Sequence, residues 1–207
     1  MWEDLSTCGT LVLAYLVGAV PFSNLIARWR YGQDLRRIGT GTSTPTNLYL
    51  GFGPQPAVVA GALEFGKGAI ATALPSSGHP ALAVTAGALA VTGHNWSVFL
   101  RGRGGRGIST ATGALVILAW PGAVLLAACL AAGLTTRRVV VSVSLAVVLL
   151  TPVLALIEGS RGLLVGGLLV APIIIKTVDE FHRRRRLPHL CRRTRQRPAD
   201  GRARGDR

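Results

Sequence analysis

Residues 108–135 read ISTATGALVILAWPGAVLLAACLAAGLT, an apolar run without a single charged residue, interrupted by Trp120-Pro121-Gly122. Proline removes a helix hydrogen bond and glycine relaxes the backbone, so the triplet predicts a turn between two helical segments. Whether this run crosses a bilayer once or twice decides on which side everything after it lies. Lys and Arg concentrate in cytosolic loops. With an outside N-terminus, one crossing would put Arg137, Arg138 and the arginine-rich C-terminal stretch outside, whereas two crossings return them to the cytosol. Two is the consistent count. At 1.5 Å per residue, 108–119 rises only about 18 Å, against a hydrocarbon core of about 30 Å. That segment is therefore expected to be shielded by neighbours or to reach part-way.

Outward from it, similar runs recur over 7–28, 54–74, 79–100, 139–157 and 162–178, separated by short connections that carry arginine. The chain has 207 residues, 49% of them hydrophobic and 15% charged. One soluble core has no use for so many runs, each near the roughly 20 residues a span requires. The reading is an all-α, polytopic transmembrane helix bundle of about seven spans, N-terminus outside and C-terminus cytosolic. The start, Met1-Trp2-Glu3-Asp4, lacks the basic residues of a cleaved leader, so the first run reads as a retained span. Residues 1–181 form the membrane domain. Residues 182–207 hold 11 of the 21 arginines with Pro188 and Pro198, and read as a disordered cytosolic tail. Without interleaved aromatics the tail points to anionic lipid headgroups rather than to nucleic acid, despite a net charge of +14. Cys8, Cys129 and Cys191 share no metal-like or paired spacing, and neither a metal nor a cofactor is expected.

Four stretches could carry chemistry. Gly39-Thr40-Gly41-Thr42-Ser43-Thr44-Pro45-Thr46-Asn47 follows Arg36 and Arg37, and combines flexible backbone with hydroxyl and amide groups suited to an anion. An ordinary hydroxyl-rich turn is the competing reading. Glu64 and Lys67 stand i, i+3 inside an apolar run, on one helix face, where they can neutralise each other. Gly93-His94-Asn95-Trp96-Ser97-Val98-Phe99 runs into Arg101-Gly102-Arg103-Gly104-Gly105-Arg106-Gly107. There guanidinium groups among glycines suit a phosphate, and His94 can donate a hydrogen bond or move a proton. Asp179, Glu180 and His182 close the last run, as an acid–base cluster or, more simply, as interfacial charge.

Taken in order, these stretches resemble the bacterial acyl-phosphate-dependent glycerol-3-phosphate acyltransferases. The helix Tyr15-Leu16-Val17-Gly18-Ala19-Val20-Pro21-Phe22-Ser23-Asn24 is similar to the family's opening helix. Gly39 to Asn47 corresponds to its Gly-Ser-Gly-Asn-x-Gly-Ala-Thr-Asn stretch, Glu64 to Gly68 to Asp-x-x-Lys-Gly, and Gly93 to Gly107 to Gly-His-x-aromatic-Pro-Val-Phe followed by Lys-Gly-Gly-Lys-Gly. The chain departs from that pattern at Thr40, Thr42, Thr44, Pro45, Ser97, Arg103 and Arg106, and has Leu50 where an arginine is usual. Of the family's Ser-Leu-Ala-Ser only Ser144 matches.

The resemblance implies a multi-pass enzyme of the bacterial plasma membrane. It would pass an acyl group from acyl phosphate to glycerol 3-phosphate and yield lysophosphatidic acid, with membrane lipids as its surroundings. On this reading His94, Asn47 and Thr40 are the catalytic candidates. Gly41, Thr46, Lys67, Arg103, Gly104, Gly105, Arg106, Gly107 and Ser144 are the substrate-binding ones, with the glycine backbone of 104, 105 and 107 facing one phosphate. A catalytically altered relative that binds lipid or phosphate, and a small membrane transporter, remain as alternatives.

Overall fold

The computed structural model describes residues 2–75, 79–136 and 138–186, and every regular element among them is helical. The first run is not one helix. It breaks at Val20-Pro21 into α1 (Trp2–Ala19) and α2 (Phe22–Tyr31). The proline has no N–H to continue the ladder, and the carbonyls of Ala19 and Val20 at the break accept from the side chains of Ser97 and Lys67 instead. The polar stretch after α2 is more ordered than its composition indicates. It holds a 3-10 turn at Leu35–Arg37 and a helix, α3 (Pro45–Phe52). Thr44 caps α3 by accepting from the Asn47 amide at 3.2 Å, and Pro45 occupies the first turn, where its missing N–H is not needed.

Two helices follow, α4 (Pro54–Ala73) and α5 (Pro80–Asn95). The second is shorter than the expected 79–100, because it ends at Asn95 and gives way to a 3-10 turn over Val98–Leu100. The run 108–135 divides into α6 (Ile108–Leu118) and α7 (Trp120–Thr135), with the break at Ala119, as the Trp-Pro-Gly triplet predicts. Then come α8 (Val139–Glu158) and α9 (Ser160–Arg186). The last helix runs five residues past the expected boundary at 181, and the remainder of the arginine-rich tail, 187–207, lies outside the described residues.

Small residues let the central helices touch. On α4, a Cβ at Gly68 would lie 1.9 Å from the Thr110 carbonyl oxygen of α6. In the same pair Gly113 meets the backbone of Phe65. Such contacts exploit the van der Waals packing that drives helix association in lipid, where burial of apolar surface gives no advantage. Beyond this pair, α1 packs on α5, while α7, α8 and α9 pack in series and α9 returns to α5.

Polarity is inverted relative to a water-soluble protein. Leu156, Val58 and Val148 are 88%, 69% and 65% exposed, whereas Glu64, Lys67 and His94 are buried. In water that distribution is costly; in a bilayer it is the stable one. Three stretches among the described residues, Leu5–Tyr31, Val141–Glu158 and Ser160–His182, are long and apolar enough to cross a membrane; Ile108–Leu118 and Trp120–Gly133 are apolar but shorter.

Candidate active site

The site is built around a buried ion cluster. Helix α4 presents Glu64 and Lys67 on one face, as their i, i+3 spacing requires, and they form a salt bridge. The end of α5 adds His94, whose Nδ1 lies 2.9 Å from Glu64 Oε2 and 3.0 Å from Lys67 Nζ. The other carboxylate oxygen, Oε1, accepts from the Ser23 amide at 3.3 Å and the Ser23 hydroxyl at 3.2 Å, and Lys67 Nζ also donates to the Val20 carbonyl at 2.8 Å. Both formal charges are therefore paired and hydrogen-bonded, the condition under which charge is tolerated away from water.

Two loops meet above His94. The loop 101–107 folds back over the end of α5: the Gly104 amide donates to the Asn95 carbonyl at 3.2 Å and the Gly105 amide to the His94 carbonyl at 3.1 Å. These amides face inward and close off α5, so they are not free to meet a phosphate. The reason for glycine is space. A Cβ on Gly104 would lie 1.9 Å from the His94 carbonyl oxygen, and one on Gly105 would lie 2.3 Å from His94 Nε2 and 2.7 Å from the Ser43 carbonyl oxygen. Gly107, at φ +73°, sits in the left-handed region before α6. Arg103 is exposed and Arg106 half-buried on this loop.

The loop 32–44 reaches the same place. Its Ser43 amide donates to the Gly104 carbonyl at 3.4 Å, and Arg36 Nη1 donates to the Leu100 carbonyl at 3.1 Å. Asn47 holds this loop together: its Oδ1 accepts from the Thr40 amide at 2.9 Å, and its Nδ2 donates to the carbonyls of Leu35, Ile38 and Thr42. Asn24 on α2 adds a further anchor, accepting from the Leu35 amide at 2.9 Å. The Asp34 carboxylate accepts from Arg36 Nη2 at 2.6 Å and Arg28 Nη2 at 2.8 Å. The Arg36 guanidinium beside it, reinforced by Arg28, holds the Asp34 carboxyl far below the usual carboxylate range, and Asp34 in turn raises the pKa of Arg36.

Thr40, Gly41, Thr46 and Asn47 are thus carried by one loop and the start of α3, and Arg103 to Gly107 by the other, with His94 and Lys67 beneath. Thr40 Oγ1 lies 2.8 Å from Thr42 Oγ1, Gly41 is exposed at φ +73°, and Thr46 is half-buried. Ser144 stands apart: it is exposed on α8, which packs chiefly on α7 and α9, and no hydrogen bond joins it to the cluster. Among the described residues, the side-chain oxygens Ser43 Oγ, Asn95 Oδ1 and Thr110 Oγ1 are buried without a protein hydrogen-bond partner. Glu158 Oε2 on α8 is a fourth, and groups of that kind are rare in folded proteins.

The glycerol-3-phosphate acyltransferase family profile matches residues 8–186. The chain belongs to this family. It is accordingly a membrane acyltransferase of phospholipid biosynthesis, and the same assignment follows from curated relatives and solved structures. A glycerol-3-phosphate acyltransferase of Synechococcus sp. (strain CC9902) is 35% identical over 83% of this chain and 86% of its own length. Glycerol-3-phosphate acyltransferase 2 of Moorella thermoacetica is 41% identical over 53% of this chain, and there the match spans 57% of the relative. The crystal structure of PlsY (YgiH), an integral membrane glycerol 3-phosphate acyltransferase, in its glycerol 3-phosphate form, superposes with a TM-score of 0.76 at 27% identity, covering 86% of this chain and 91% of that one.

Several departures from the family pattern have structural outlets. Pro45 occupies a helix first turn, and Ser97, buried, fastens the end of α1 through its hydroxyl. Leu50, by contrast, is exposed on α3, and no guanidinium comes from that position. From sequence, Lys176 was not singled out, Ser23 and Asn24 entered only as part of the opening helix, and Arg36 only as one of two arginines before the 39–47 stretch. Polar Ser23-Asn24 inside an apolar run and a lone lysine in the last run were the available signals. Arg36 pairs locally with Asp34, but its contact with the Leu100 carbonyl, 64 residues away, had no signal in the sequence.

Proposed function

We propose that the chain catalyses acyl transfer from acyl phosphate to the 1-hydroxyl of glycerol 3-phosphate, in a pocket formed where the loops 32–44 and 101–107 meet. The observation that carries this is the seating of Gly105 between His94 Nε2 and the Ser43 carbonyl, which joins both loops to one buried imidazole. In the reaction the hydroxyl oxygen bonds to the acyl carbonyl carbon and the bond from that carbon to the phosphate oxygen breaks. The hydroxyl proton ends on the departing inorganic phosphate, and lysophosphatidic acid is the other product.

Arg103 and Arg106, with the first-turn amides of α6, supply positive charge for one phosphate; Thr40, Gly41 and Thr46 serve the other. His94 acts as a positioning residue rather than a proton carrier. Its Nδ1 is within hydrogen-bond distance of both the Glu64 carboxylate and the Lys67 ammonium, and its Nε2 lies under Gly105. Asn47, with its amide and carbonyl committed to the loop, positions Thr40 and is itself withdrawn from substrate. Catalysis then rests on holding two phosphates and an acyl carbonyl in line, and on charge stabilisation. The arginine distribution supports about seven spans with both loops at the cytosolic face of a bacterial plasma membrane.

The test is purified protein in detergent with acyl phosphate and glycerol 3-phosphate. Lysophosphatidic acid is expected, and its rate falls at least about 100-fold in the double variant Arg103→Ala, Arg106→Ala, as loss of two charge-assisted contacts predicts. Equal product from both proteins would remove the basis for this site. Uptake of a phosphorylated solute into proteoliposomes without acyl product would make the chain a transporter instead. Placement of 39–47 and 101–107 on opposite membrane faces by labelling would exclude a common pocket.

A further inference from the structure

A hydrogen bond at each end closes the two loops into a ring. At one end the Ser43 amide donates to the Gly104 carbonyl at 3.4 Å; at the other, Arg36 Nη1 donates to the Leu100 carbonyl at 3.1 Å. One arm of this ring runs 36–43 and carries Thr40 and Gly41, and the other runs 100–104 and carries Arg103. Groups proposed for the two phosphates thus stand on opposite arms of one closed piece of backbone.

The Arg36 end is the better built. At 3.4 Å the Ser43 bond exceeds the common range of about 2.7–3.2 Å. Arg36, by contrast, grips Asp34 with a fork, Nε to Oδ1 at 3.0 Å and Nη2 to Oδ2 at 2.6 Å, which fixes the guanidinium plane and leaves Nη1 for Leu100. Asp34 Oδ1 also accepts from the Arg36 amide at 3.0 Å, capping the 3-10 turn on which both side chains stand. That turn is anchored: Leu35 is buried, its amide bound by Asn24 and its carbonyl by Asn47. Exposed ion pairs hold little in place, but the Arg36 and Asp34 side chains are only 22% and 10% exposed and meet bidentately.

We infer that Arg36, oriented by Asp34, is a positioning residue that sets the spacing between the two substrate loops and so aligns the acceptor hydroxyl with the acyl carbonyl. This rests on the two-loop pocket proposed above. Each arm has a support of its own, Asn47 within 32–44 and Lys176, which donates from α9 to the Gly102 carbonyl. Replacing Arg36 therefore spares the shape of each arm and releases the register between them. Either substrate alone still binds; the pair is misaligned, and a misplacement of about 1 Å costs about 100-fold in turnover.

The test uses the full chain purified in detergent. Lysine at 36 keeps the charge, but a single ammonium cannot hold Asp34 by a fork and reach Leu100 as well. Arg36→Lys and Arg36→Gln should both lower kcat about 100-fold, with the equilibrium affinity for glycerol 3-phosphate and for acyl phosphate, each alone, within about threefold of wild type. Because the two side chains act as one unit, Asp34→Asn combined with Arg36→Lys should be no worse than Arg36→Lys alone, within about threefold. Wild-type kcat in Arg36→Lys overturns the inference, and if Arg36→Gln is then impaired, charge is the contribution. So does binding of either substrate alone weakened beyond that margin, or a double variant whose losses multiply. Hydrogen exchange gives a readout without turnover: the Ser43 amide, the other closure of the ring, should exchange about tenfold faster in Arg36→Lys, and unchanged exchange also overturns the inference. A wild-type protein that makes no lysophosphatidic acid refutes the acyltransfer reading instead, and the ring then stands or falls on that amide.

Discussion

Replacing Gly105 by alanine is the sharpest probe of the proposed pocket. The added Cβ would stand 2.3 Å from His94 Nε2, 2.7 Å from the Ser43 carbonyl oxygen and 2.9 Å from Thr44 Cγ2, whereas ordinary contact begins at 3.4 Å. The imidazole has little room to yield, since its Nδ1 edge is packed against the Glu64–Lys67 ion pair. The loop therefore has to lift by about 1 Å, the difference between 3.4 and 2.3 Å. Overpacking of this size destabilises by about 1–3 kcal/mol, and displacing positioning groups by about 1 Å lowers turnover about 100-fold. The corresponding rise in barrier is about 2.7 kcal/mol. Gly66 is the matched control: it lies in α4, one residue before Lys67, and its Cβ would meet nothing within 4 Å. Steady-state acyl transfer, read with the detergent unfolding midpoint, should show Gly105→Ala reduced about 100-fold and Gly66→Ala at wild-type activity. Wild-type kcat/KM in Gly105→Ala would refute the claim that contact between the two loops and His94 organises the site.

Other substitutions probe the supporting structure. Asn47→Ala orphans the Thr40 amide and three carbonyls, each at about 1–3 kcal/mol if left unsatisfied. It should abolish activity and open the 35–44 backbone to hydrogen exchange while leaving exchange in α6 to α9 unchanged. Glu64→Gln leaves Lys67 without its carboxylate in the bundle interior and should lower stability by about 3–5 kcal/mol, read as a fall in thermal midpoint that Glu64→Asp partly restores. The Asp34 pair has a defined pH signature. Its folded pKa lies below the ordinary 3.8, so the stabilisation is fully present above that value and is lost as pH falls through the folded pKa. The midpoint difference between wild type and Asp34→Asn should therefore be constant from pH 8 down to about pH 5 and shrink in stronger acid. A difference that grows on acidification would show the sign to be wrong.

Hydropathy, arginine placement and one Trp-Pro-Gly triplet determined the helical membrane bundle and the break in 108–135, because lipid forces every backbone group into local hydrogen bonds and so makes the fold class a property of composition along the chain. The two loops and the Glu64, Lys67 and His94 motifs were legible for the same reason: polar groups in apolar surroundings declare themselves. Tertiary structure alone decided what those groups do. Asn47 stands in a motif that reads as ligand-binding, yet its side chain is consumed by three carbonyls and an amide of its own loop. The glycines of 104–105 read as phosphate-facing amides, yet they are small because His94 and Ser43 lie against them. Arg36 and Lys176 reach the Leu100 and Gly102 carbonyls through contacts 64 and 74 residues distant. Residue type reports a group's capacity to bind, and the direction in which that capacity is used is set by the partners that folding brings to it.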